Sequence, residues 1–218
     1  SHSWIGLDGT RYLGLGTDRK LYIFSEGKVY DITPIRRTAS LTNPFATSSG
    51  SATVTVTDAG HKAEVGAFVT FDNGSATNVV DGIDFNNEFE IITVPSSNTY
   101  TINAGTNASG TTAAGGGSTD ASYQINPGPT SSTYGYGWGT ETWSASTWDT
   151  PRSSSNVVVA GRNWSLDNFG EDLIATVLDG GTFIWDTSGG LGARATALSN
   201  APTASRFSLV STDTRHLL

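Results

Sequence analysis

The chain contains no cysteine and no methionine in its 218 residues. Without a thiol it can build neither a disulfide framework nor a thiolate metal centre, an absence that leaves the compartment open. Charge is sparse as well: Asp, Glu, Lys and Arg make up 15% of the residues, and the formal net charge is −8. No basic cluster larger than a pair such as Arg36-Arg37 occurs, so a phosphate backbone is not expected as the main partner, and no specific nucleic acid is. No apolar run approaches the roughly 18 residues that a membrane helix requires, and membrane insertion is not expected. Histidine is limited to His2, His61 and His216, with no H-x-H or H-x-x-x-H spacing, so neither a metal centre nor a cofactor is expected. The missing methionine, together with a strand-like last stretch at 214–218, leads us to expect an internal piece of a longer protein.

What the chain does have is glycine, serine, threonine and asparagine between short apolar runs, with little helical periodicity. That composition predicts an all-β protein with many exposed turns. The clearest element is residues 11–33, RYLGLGTDRKLYIFSEGKVYDIT, which read as three short strands and two tight turns, ended by Pro34 because proline cannot donate to a ladder. Residues 172–186, DLIATVLDGGTFIWD, echo the first part of it. Laid over 11–25 without a gap, Asp179 falls on Asp18, Phe183 on Tyr22, Ile184 on Ile23 and Trp185 on Phe24. Leu173, Ala175 and Val177 alternate with Ile174, so both faces of that strand are apolar, as in a sheet covered on both sides. A repeated four-stranded unit of this kind is the signature of a propeller or related radial array; the plainer alternative is any antiparallel sheet with Asp-led hairpins.

Between the two copies the composition shifts. Residues 53–57, 68–71, 88–94 and 99–102 read as four closely spaced strands, and 123–125 as a fifth, while 35–45 read as a lead-out from the first hairpin. Residues 104–118, AGTNASGTTAAGGGS, read as a flexible low-complexity tip or linker with nothing to bury. The expected organisation is a propeller-like blade segment over 1–47, an inserted small β domain over 48–126 and a second blade segment over 127–218. The fold class expected is all-β, with partial β-propeller-like blades and an inserted small β-barrel or sandwich.

The stretches LGLGTDRKLYIF, VYDITPIRRT, YGYGWGTETW and STDTRHLL together resemble the large tail proteins of tailed bacteriophages, most of all the tube or nozzle proteins of short-tailed phages. VTVTDAGHKAEVGAFVTF and FEIITVPSSNTYTI are similar to a small barrel found in such proteins. The resemblance implies β-propeller domains with small β insertions, a structural role in the virion tail, no enzymatic activity, and partnership with other copies of the chain and other tail proteins. It carries over no active-site residue.

Candidate chemistry is thin. Glu88 and Glu90, two apart on one strand, would face the same side about 7 Å from each other, a spacing a glycosidase could use, although a solvated acidic face is the commoner meaning. Asp72-Asn73-Gly74 and Asp179-Gly180-Gly181 lack the rest of a calcium loop and read as hairpin turns. Asn73-Gly74-Ser75, Asn107-Ala108-Ser109 and Asn163-Trp164-Ser165 fit the glycosylation sequon, which a Ser/Asn-rich chain produces by chance. The one patch suited to binding is the aromatic run Tyr134, Tyr136, Trp138, Trp143 and Trp148. Such rings serve core or subunit packing; alternatively they stack on sugars, which would make the protein a carbohydrate-binding module or adhesin with host glycan as partner.

Overall fold

The computed structural model describes residues 1–128, 161, 163–211, 213–214 and 216–218, and these form an all-β protein with several antiparallel sheets. The chain divides into two compact units, Ser1–Ile32 with Pro127–Ala193 and Ala197–Leu218, and Thr33–Asn126 with Arg194–Thr196.

The first unit opens with a four-stranded sheet in chain order: β1 (His2–Ile5), β2 (Arg11–Gly16), β3 (Leu21–Ser25) and β4 (Lys28–Asp31). Its turns follow from local chemistry. Ser25 pairs with Lys28, leaving Glu26 and Gly27 at φ 52 and 78, the left-handed pair that a two-residue hairpin needs. Leu21 and Ile23 alternate inward and are fully buried.

The second unit is built on an open seven-stranded sheet. Its strands are β5 (Ile35–Thr42), β6 (Phe45–Ala46), β7 (Thr53–Thr57), β8 (Phe68–Asp72), β11 (Glu88–Ser96), β12 (Thr99–Asn103) and β13 (Ser118–Gln124), with β9 (Val79–Val80) and β10 (Ile83–Asp84) as a separate small ribbon. The order is β5-β13-β8-β11-β12-β7-β6, so the ends do not meet and no closed barrel forms. β11 pairs with β8 through Glu88–Glu90 and with β12 through Ile91 to Ser96, with register shifts in between. One strand thus serves both halves of the sheet, which bend around a single core. Phe45 stacks on Phe85 at a centroid distance of 3.8 Å, and Phe71, Phe89, Tyr100 and Tyr123 share that core with aliphatic residues such as Val54, Val69 and Ile91.

Two expectations about this unit are corrected. Residues 35–42 do not simply lead out of a hairpin: they form β5, paired with β13 from Thr42↔Ser118 to Ile35↔Gln124. Nor is 104–118 a free linker. Thr47 N donates to Thr112 O at 2.8 Å, Gly115 N to Phe45 O at 2.8 Å, and Ala108 is 3% exposed. A Cβ on Gly116 would strike the Phe45 ring, so the small residues there permit close packing.

The first unit resumes with β14 (Trp164–Phe169), β15 (Asp172–Val177) and β16 (Thr182–Trp185), paired antiparallel in chain order. The short β17 (Thr196–Ala197), which begins at the unit boundary, is the fourth strand of that sheet. The repeated hairpin occupies β2–β3 and β15–β16, each strand starting 161 positions after its counterpart (Arg11 to Asp172, Leu21 to Thr182). The turns differ. Thr17 N donates to Lys20 O, enclosing two residues, whereas Val177 N donates to Gly181 O, enclosing three, with Asp179 at φ 55. That single residue slips the pairing and turns the second strand over. Phe24 is consequently 40% exposed while Trp185, at the matching position, is 1% exposed. β2 and β15 keep the same facing. β15 is buried from Leu173 to Val177, as its two apolar faces predicted.

Candidate functional site

In the first unit the two four-stranded sheets meet where β1 and β2 lie against β14, with Leu173 of β15 reaching in beside them. The seam is glycine against bulk: Leu173 would sit 3.1 Å from a Cβ on Gly14, and the Trp164 indole lies over Gly16, closer than any side chain there would allow. Trp164 Nε1 donates to Thr17 O at 2.8 Å, and Trp4 Nε1 to Glu171 O at 2.8 Å, so both indoles bind backbone across the seam. Trp185 meets Trp4 and Tyr12 edge-on, with centroids 6.4 and 5.7 Å apart. His2 Nε2 bonds Asn168 Oδ1 at 2.9 Å. The other face of β15 is covered by the returning segment around Ser208, whose hydroxyl accepts from Thr176 Oγ1 at 2.7 Å. We expect Gly16→Ala to cost about 1–3 kcal/mol by overpacking against Trp164, read as a lower denaturant midpoint for this unit.

In the second unit the polar residues converge on a buried carboxylate. Asp58, 5% exposed, lies at the end of β7 and accepts from both terminal nitrogens of Arg37. Tyr123 Oη also donates to it at 2.6 Å and lies 3.0 Å from Tyr100 Oη. Burial pushes the Asp58 carboxyl up, but the Arg37 guanidinium and the Tyr123 hydroxyl outweigh it and hold it below the usual carboxylate range. Burial likewise pushes both tyrosine hydroxyls well above their ordinary value. His61, 1% exposed, packs edge-on against Tyr100. Its Nδ1 accepts from Ala63 N at 2.8 Å, so Nε2 carries the hydrogen and donates to Ser96 O at 3.0 Å. Each member of this network is engaged in holding strands together, which suits a structural locus.

Glu88 and Glu90 share the outer face of β11, with Phe89 turned into the core between them. Glu88 accepts from Gln124 Nε2 and borders a groove of about 490 Å³ with Asp84, Asn87, Asn103 and Thr106. Asp84 Oδ1 accepts from Asn78 N and Asn86 N at 2.9 and 3.0 Å, which holds its carboxyl below the usual range. An acid that must give up a proton needs the opposite shift. Among the described residues no group of three or more His, Asp or Glu side chains could hold a metal ion. Asp72 serves its own turn by accepting from Gly74 N at 2.7 Å, and Asp179 faces Arg206 at 3.6 Å on the surface. The aromatic run with Tyr134, Tyr136, Trp138, Trp143 and Trp148 lies outside the described residues. Sequence reasoning passed over Asp58 and Arg37; the available signal was an acidic residue directly after the alternating TVTVT strand.

No protein-family model matches the chain, and no curated protein matches it. Among solved structures it is similar to that of phage phi92 endosialidase, with 15% identity and a TM-score of 0.36, over 87% of this chain and 30% of that one. The chain thus spans less than a third of that protein's length.

Proposed function

We propose that the chain is part of a virion structural protein, a segment of a phage tail tube or nozzle subunit that works as an assembly scaffold. In this reading the sheets β1–β4 and β14–β17 are two blades of a propeller-like array, and the small β unit between them in sequence is an insertion. The observation that carries the reading is the pair of like four-stranded sheets joined through a glycine–indole seam. Such a seam is stiff, because neither indole can move without losing a backbone hydrogen bond. The work is mechanical rather than catalytic, and the carboxylates nearest a groove are tied into turns and strand contacts. Its partners would be other copies of the chain and other tail proteins. The net charge of −8 suits a conduit that must not retain passing DNA. Purified virions of the phage encoding this sequence should yield its peptides by mass spectrometry, in amounts matching known tail components. Their absence from particles, with the protein present in infected cells, would overturn the assignment.

A further inference from the structure

The loop between β8 and β9 carries the chain's single Asn-Gly step, Asn73-Gly74. Glycine leaves its amide nitrogen unshielded, so this step is the one most prone to cyclise. Gly74 N attacks Asn73 Cγ and a C–N bond closes a succinimide ring. The Cγ–Nδ2 bond then breaks, the Gly74 proton leaves with that nitrogen as ammonia, and water opens the ring to aspartate or isoaspartate.

The fold engages the reacting groups in other bonds. Asn73 Oδ1 accepts from Ser75 N and from Asn86 Nδ2, both at 3.0 Å, and Asn73 Nδ2 donates to Thr77 O at 3.2 Å. The attacking nitrogen, Gly74 N, donates to Asp72 Oδ1 at 2.7 Å. Asn86 grips the residue twice, since its Oδ1 also accepts from Asn73 N at 3.2 Å. Asn86 is itself anchored: its N donates to Asp84 Oδ1 at 3.0 Å and its Nδ2 to Ser75 O at 2.7 Å. Cyclisation requires the Asn73 amide to rotate out of these bonds and Gly74 N to leave Asp72.

We propose that Asn73 is a deamidation site gated by opening of this loop, with Asn86 as the clamp that suppresses the reaction in the folded protein. Once converted, a carboxylate oxygen faces Thr77 O where a donor stood, two acceptors oppose each other, and the loop cannot close as before. The change is one-way and adds a negative charge to an already acidic protein.

The test follows the one-dalton mass gain of the peptide holding residue 73 at neutral pH. It compares the folded wild type, the wild type in urea, and Asn86→Ala. The urea sample is expected to react fastest, and Asn86→Ala about tenfold faster than the folded wild type, as loss of two or so hydrogen bonds predicts. Equal rates in the folded and urea-treated wild type would overturn the proposal, and that comparison holds whether or not the variant folds. A folded Asn86→Ala reacting at the wild-type rate would remove Asn86 as the clamp.

Discussion

Asp58→Ala is expected to destabilise the second unit by about 3 kcal/mol, the lower end of the range for breaking a buried ion pair because Arg37 keeps some contact with water. The substitution strands two donors, the Arg37 guanidinium and the Tyr123 hydroxyl, that otherwise converge on one carboxylate. Arg37→Ala should cost as much, since it leaves Asp58 buried at 5% exposure with its guanidinium partner gone and the Tyr123 hydroxyl as the remaining side-chain donor among the described residues. The double replacement Arg37→Leu with Asp58→Leu should lose far less than the two single losses added together, because no charge is then left unpaired. Acid dependence supplies a second readout. The folded Asp58 carboxyl lies below its unfolded value of about 3.9, so its contribution is fully present above that pH and fades as pH falls through the folded value. Urea melts across the acid range should show a shallower acid loss in Asp58→Ala than in wild type. Parallel acid limbs would mean that the pair contributes nothing.

The second large effect is expected at Trp185. The side chain is 1% exposed and touches Trp4 and Tyr12, so Trp185→Ala should cost about 3–5 kcal/mol in the first unit. Trp185→Phe should behave differently. The indole Nε1 is buried without a hydrogen-bond partner among the described residues, so phenylalanine removes an unpaired donor while leaving a smaller cavity. These terms oppose each other, and the phenylalanine variant is expected within about 1 kcal/mol of wild type. The same change at Trp4 discards the bond to Glu171 O and should cost more. Chemical denaturation of the three variants checks the order; a Trp185→Phe loss as large as the alanine loss would mean that the nitrogen matters after all.

How far the sequence disclosed this structure varies from element to element. The strand at 53–57 was legible to the residue because Thr and Val alternate and its burial follows the same alternation. β5 was not, since its partner β13 lies some eighty residues along the chain (Ser40 with Asp120) and no local pattern announces a distant ladder. Small residues at 104–118 carry two opposite meanings, slack chain or tight packing, and only the position of Phe45 separates them. The repeat was visible in composition, yet the turn that adds one residue and turns Trp185 inward was not, because hairpin register depends on backbone angles such as φ 55 at Asp179. The Asp58 network stayed hidden because Arg37, Tyr100 and Tyr123 come from three separate strands.

The central claim is that β2–β3 and β15–β16 are the middles of two like sheets held as one body through the seam. Amide hydrogen exchange on the wild type and on Gly16→Ala tests it most directly. In the wild type, the central amides of both hairpins should show matching protection, and Gly16→Ala should lower both together. If one hairpin exchanges freely in the wild type, or if only β2–β3 responds to the substitution while β15–β16 stays protected, the two sheets are not one scaffold and the account fails.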